Sequence, residues 1–256
     1  MKLPDLSKCT RKEIRAYFDN TWALTEVLFK SLRSEEAFYR PPNHNLRHPK
    51  IFYLCHPATV YVNKLRCAGL IKGHVNEYYE RIFETGVDEM RWDDMSKNHM
   101  KWPTIEECLK YRETIYNLVV DVIENHPEFD TISNLEGSKF WALVLGFEHE
   151  RIHLETSSVL IRELPVDLVK RPEFFPPYHA TANSTIYSTH DPKQGTDYPT
   201  NDFIDVSAGE VVLGKPRSWP TYGWDNEYGE KKASVKAFSA TKFKITNGEF
   251  WEFVKR

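Results

Sequence analysis

Several protein classes are excluded by what this sequence lacks. Cysteine is sparse: Cys9, Cys55, Cys67 and Cys108 are the only four in 256 residues, scattered and without a C-x-x-C pair. That usage suits a reduced, cytoplasmic protein rather than a disulfide scaffold. No apolar run is long enough to span a bilayer and no secretory signal opens the chain, so no membrane partner is expected. Excess charge of one sign is missing as well, with a formal net charge of −3 from 34 basic and 37 acidic side chains. Such a balance gives no broad attraction to nucleic acid. Neither an internal repeat nor a low-complexity tract is evident. What is present is ample apolar content, 41% of residues, enough for one large core or two modest ones.

One stretch organises the rest, residues 137–164, GSKFWALVLGFEHERIHLETSSVLIREL. Proline is absent from it, Ser138 can cap its start, and Pro165 stops it. Residues 140–147 are apolar around nearly the whole helical wheel, which predicts a helix buried in a bundle. His149 and His153 leave the same face one turn apart. Their stripe is otherwise small, with Ala142 and Gly146 before the pair and Thr156 and Ser157 after it. Small neighbours leave room beside two imidazoles for a metal and its ligands, where a structural face would carry Leu or Ile. An ordinary pair of buried, hydrogen-bonded histidines is the competing reading. His149-Glu150-Arg151-Ile152-His153 also spells the H-E-x-x-H of zinc proteases. No suitable third ligand follows it, however, since Glu155 is too near and Glu163 directly precedes the stop.

Three further bundle helices precede this one. Residues 11–33 carry apolar side chains at helical spacing behind a Thr10/Glu13 capping box. After a polar loop in which His44 and His48 are expected to be solvated or structural, residues 50–71 form a second apolar helix. His56 lies in its middle with Pro57 directly after it, so a kink or a restart is expected there. Residues 74–84 read as a short helix, followed by a loop with an acidic patch (Asp88, Glu89, Asp93, Asp94) around Arg91 and Trp92. Thr104 and Glu107 form a second capping box, opening a helix that ends near Asn125 and Pro127. Histidines on the second and fourth bundle helices can converge inside such a bundle. His56, His149 and His153 would then make a three-imidazole site, compatible with zinc or iron on ligand type alone.

Beyond Pro165 the composition changes. Residues 166–202 read as a linker or wrapping segment. From 203 onward the pattern is β-like: FIDVSAGEVVLG alternates around a glycine-containing turn, and ASVKAF and FKIT are strand candidates. Thr246 to Glu249 has capping-box form and opens a helix that runs off the end, so the chain reads as part of a longer protein, with the strands of its second domain short of partners.

These pieces resemble the N-terminal part of the ovothiol-type sulfoxide synthases (5-histidylcysteine sulfoxide synthases), relatives of the ergothioneine sulfoxide synthases. The resemblance rests on residues 46–65 (LRHPKIFYLCHPATVYVNKL), 86–95 (GVDEMRWDDM), 146–165 (GFEHERIHLETSSVLIRELP), 222–230 (YGWDNEYGE) and 238–256. It implies an α+β fold: a DinB-like four-helix bundle over 1–165, the 166–202 linker, and over 203–256 an incomplete domain resembling the formylglycine-generating enzyme. It also implies Fe(2+) held by His56, His149 and His153, and O2-dependent coupling of cysteine to the histidine imidazole. Small-molecule substrates are the expected partners. The acid/base tyrosine and much of the cysteine-binding surface of that family are expected beyond residue 256, so no catalytic residue is assigned within the chain. Pro57 departs from the small or hydroxyl residue expected after the ligand histidine, which would shift His56. The alternatives are a DinB-like thiol transferase or hydrolase using zinc or another divalent ion, and a metal-binding fragment without turnover.

Overall fold

A computed structural model of the chain describes residues 1–44, 47–84, 101–177 and 191–256. The acidic patch at 88–94 and residues 178–190 of the linker lie outside the described residues. The chain divides into two compact units, Met1–Phe175 with Pro220–Tyr222, and Pro176–Trp219 with Gly223–Arg256.

The first unit is helical. Helix α1 (Arg11–Phe29) starts as expected: the Thr10 N–H donates to Glu13 Oε2 at 2.8 Å and the Glu13 N–H donates back to Thr10 Oγ1 at 3.3 Å. Such a reciprocal cap satisfies two backbone donors that the first turn leaves free. Helix α2 (Glu35–Tyr39) is one short turn before α3 (Lys50–Cys67). Helix α4 (Glu77–Glu84) begins three residues later than the pattern suggested. The reason is local, because Asn76 Oδ1 accepts from the Tyr79 N–H and Glu80 takes the Val75 and Asn76 N–H groups. Helix α5 (Ile105–Asn125) repeats the Thr104/Glu107 capping box, and α6 (Trp141–Arg162) completes the bundle.

Helix α3 is the hub. Every residue from Lys50 to Val62 is buried, and α3 packs against α4, α5 and α6 while α1 covers α5 and α6. An aromatic core fills the centre, with the Phe18 ring 5.6 Å from Tyr61, 5.5 Å from Phe147 and 5.3 Å from Tyr116. Among the described residues no helix is long and apolar enough to cross a membrane.

Two expectations about these helices need correction. The organising helix begins at Trp141, four residues after the predicted start. Gly137 adopts a left-handed φ of +74°, and Ser138 Oγ accepts from the Phe140 N–H at 3.2 Å. Ser138 therefore caps a turn, and α6 follows it. Of the two outcomes expected at Pro57, a kink or a restart, the restart does not occur, and α3 runs continuously through it. A proline inside a helix removes one backbone donor and crowds the preceding turn, but burial on all sides holds this one in place.

The second unit contains four strands, β1 (Phe203–Val206), β2 (Gly209–Leu213), β3 (Lys231–Val235) and β4 (Phe238–Thr241). β1 pairs antiparallel with β4 from Phe203↔Thr241 to Val206↔Phe238, and β2 with β3 from Gly209↔Val235 to Leu213↔Lys231. The register is unbroken between the two ladders, so β1 and β2 form one arm of a long ribbon and β3 and β4 the other. The turn expected within FIDVSAGEVVLG is therefore absent: Gly209 starts the second half of the same arm. FKIT is not a strand either. It leads into α7 (Asn247–Val254), whose Thr246/Glu249 capping box forms as expected. Among the described residues of this unit only Gly223 and Gly248 are buried.

Candidate metal centre

The bundle brings three imidazoles together. The His56 ring, on α3, lies 5.0 Å from His149 and 4.6 Å from His153, centroid to centroid, and the two α6 rings are 4.5 Å apart. Each offers a nitrogen within 4.8 Å of the other two. Pro57 has not carried His56 away. His44 stays exposed in the loop before α3. His48 is buried rather than solvated, its ring 4.4 Å from Phe52 and 5.9 Å from Trp102, which makes it structural.

Hydrogen bonding fixes which nitrogen of His56 faces inward. His56 Nδ1 donates to the Phe83 carbonyl, near the end of α4, at 2.6 Å. A carbonyl can only accept, so Nδ1 carries the proton and the Nε2 lone pair is free. A backbone or carboxylate acceptor behind the distal nitrogen is the usual support of a metal-ligating histidine. Phe52 stacks on the same ring at 4.8 Å. Thr156 Oγ1 lies 3.4 Å from His153 Nδ1, while His153 Nε2 and His149 Nε2 face one another at 3.2 Å.

That last distance tests the fit to an ion. Two nitrogens each about 2.1 Å from one metal stand about 3.0 Å apart at a right angle and about 3.4 Å apart at the tetrahedral angle. The observed separation falls between these values. The donor set is all nitrogen and neutral, which suits zinc, iron, copper or nickel over calcium or magnesium. Among the described residues no fourth His, Cys, Asp or Glu joins the group. Three protein ligands leave coordination positions open, the pattern of catalytic rather than structural centres.

Burial keeps the rings uncharged. It pushes the His56 pKa down to about 3, with the neighbouring His153 adding to the effect, and that of His153 to about 4. His149 is driven well below its ordinary value by burial and then by His56 and His153. Because the folded pKa values lie below the unfolded one, the unfolded chain binds more protons between about pH 3 and 6.5. The metal-free protein should therefore hold its full stability above pH 6.5 and lose it progressively as pH falls below that. Thermal melts from pH 7.5 to 4.5 check this, and replacing His56 with Phe should flatten the dependence.

Glu150 takes no part in the imidazole cluster, contrary to the protease spelling. Its side chain is wholly buried. Oε2 accepts from the Tyr61 hydroxyl at 2.9 Å and Oε1 from Arg112 Nη2 at 3.3 Å. A carboxylate so engaged is not free to act as a general base on a metal-bound water. The space beside Gly146 is also occupied: a Cβ there would stand under 3.0 Å from Cδ1 and Cε1 of Tyr61. Gly146 thus admits an aromatic ring, and the expectation that its vacancy serves a metal is corrected. Arg112 and Tyr61 were missed in the sequence reading. A signal for Arg112 existed, since it falls on the stripe Cys108, Arg112, Ile115 and Val119 of α5, all buried. A charge on such a stripe requires a buried partner.

No protein-family model matches the chain. It is 25% identical over 244 residues to a Neurospora crassa protein named ergothioneine biosynthesis protein 1, covering 91% of this chain and 26% of the relative. A Schizosaccharomyces pombe protein of the same name is 22% identical over 249 residues, covering 82% and 29% respectively. The chain thus spans between a quarter and a third of the length of the curated relatives it matches, and what it shares with them is similarity over most of its own length.

Proposed function

We propose that this chain carries the metal-binding part of a non-haem iron(II) sulfoxide synthase, an O2-dependent enzyme that joins cysteine sulfur to an imidazole ring carbon. The observation that carries the reading is the convergence of His56, which is buried, with the half-buried His149 and His153, from helices far apart in sequence, into one neutral cluster. Two similar proteins named for ergothioneine biosynthesis support it. On this reading the first unit is the DinB-like bundle, residues 203–256 begin the domain resembling the formylglycine-generating enzyme, and the protein is cytoplasmic.

Iron(II), when bound, supplies open positions for substrate and for activation of O2. The protein's own residues do the rest. The Phe83 carbonyl holds His56 in the Nδ1–H tautomer. Phe52, stacked on His56, and Tyr53, its ring 6.0 Å from His153, wall one side of the cluster. Burial keeps three lone pairs unprotonated near neutral pH.

Histidine is the imidazole substrate on the ovothiol-type reading, which rests on segments 46–65 and 146–165. The ergothioneine-type reading is favoured by the names of both relatives. The longest reading frame containing this sequence, given iron, cysteine, histidine and O2, separates them by mass spectrometry of the product. Sulfoxide formed from histidine supports the first. Absence of that product with iron binding intact supports the second.

The site itself is tested by anaerobic Fe(II) titration. Wild type should bind one equivalent, and His56→Ala, His149→Ala and His153→Ala should each weaken binding at least about 100-fold, since each removes one of three ligands. His44→Ala should change nothing. Unaltered stoichiometry and affinity in His56→Ala would remove that ligand and the oxidase reading with it. Zinc bound in preference to iron, with activity toward thiol acceptors, would favour a metal-dependent transferase or hydrolase.

A further inference from the structure

We propose that Arg112, Glu150 and Tyr61 form a buried clamp that sets the spacing of the two ligand-bearing helices and so tunes metal affinity at the three-histidine centre. The inference rests on the metal reading above and adds positioning residues to it. Arg112 Nη1 donates to the Leu54 carbonyl at 2.8 Å, on α3 two residues before His56. Its Nη2 reaches Glu150 Oε1 at 3.3 Å, on α6 directly after His149. Tyr61, five residues beyond His56 on α3, closes the circuit by donating to the other Glu150 oxygen at 2.9 Å. His56 is thus bracketed on its helix by two anchors that both end on the neighbour of His149.

Pro57 has no N–H, so α3 lacks one backbone bond in the turn beside His56. Arg112 fastens the Leu54 carbonyl in that turn. The guanidinium, carried by α5, is itself held 4.0 Å over the Trp22 ring of α1. All three side chains are at most 2% exposed. Buried ion pairs are a poor source of stability, since apolar residues of similar volume often do as well or better. Their best-attested use is to fix register, and the register fixed here is the one on which the histidine triangle depends. None of the three touches the reacting centre, so they act through His56 and His149.

The test separates positioning from plain stability. The variant Arg112→Met/Glu150→Leu/Tyr61→Phe removes every polar side chain of the clamp at once, leaving no orphaned charge. It should melt at or near the wild-type temperature by circular dichroism, yet bind Co(II) at least about 10-fold more weakly, the usual cost of losing outer support of a metal site, with a changed ligand-field absorption band. Wild-type Co(II) affinity and spectrum in this variant would overturn the clamp while leaving the metal centre standing. A wild-type chain that binds no Co(II) overturns the centre and the clamp together. Should the triple variant not fold, Glu150→Gln keeps the shape and drops the charge. A several-fold weaker Co(II) affinity then supports the clamp, and unchanged affinity overturns it.

Discussion

Arg112→Ala is expected to destabilise the bundle by about 3–5 kcal/mol, the range for removing one partner of a buried ion pair. The loss is mostly not the interaction itself. Glu150 is wholly buried, so without the guanidinium its charge faces an interior that cannot solvate it. The Leu54 carbonyl loses the donor at 2.8 Å, and the Trp22 face loses its cation. Urea unfolding followed by far-UV circular dichroism measures the change. In a Glu150→Leu background the same substitution should cost much less, because no charge is left behind. Equal costs in both backgrounds would show that Arg112 acts by packing alone.

Gly146→Val should cost about 3 kcal/mol, at the upper end for overpacking a closed core. Glycine is ordinarily a poor helix residue, and replacement in an open helix would gain up to about 1 kcal/mol. Here the sign reverses because the Tyr61 ring lies against the α6 backbone, where even a Cβ would stand under 3.0 Å from two ring carbons. The ring cannot retreat: Tyr61 is 0% exposed and its hydroxyl is tied to Glu150 at 2.9 Å. For a domain of this size the change corresponds to roughly 6–12 °C in melting temperature. Gly146→Ala should be milder but still destabilising, and in a Tyr61→Leu background it should become neutral or favourable. A stabilised Gly146→Ala in the otherwise native protein would show that the ring is free to move.

Much of the bundle was legible residue by residue. The capping boxes at Thr10, Thr104 and Thr246 all form, because a cap depends only on residues three apart and on bonds made within one turn. The α6 pair was legible for the same reason, as helical periodicity alone puts His149 beside His153. Apart from the starts of α4 and α6, which local hydrogen bonds shift, errors fell where a neighbour in space decided the outcome. A restart at Pro57 is allowed by its own chemistry, yet α3, buried from Lys50 to Val62, runs continuously through it. FKIT has the composition of a strand but finds no ladder partner. The glycine in FIDVSAGEVVLG suggests a turn, whereas pairing with residues 231–241 keeps the chain extended through it.

The sequence by itself determined where α1, α5 and α7 begin, which faces are apolar and which two imidazoles share a turn, since all of these follow from contacts within a few residues. Only the tertiary structure decided that His56 joins them, that the vacancy at Gly146 belongs to Tyr61, and that Glu150 is committed to Arg112 rather than to chemistry. Those three outcomes rest on groups brought together across 38 to 97 positions of chain. No local rule encodes such meetings; they are set by how α1, α3, α5 and α6 pack around one shared core.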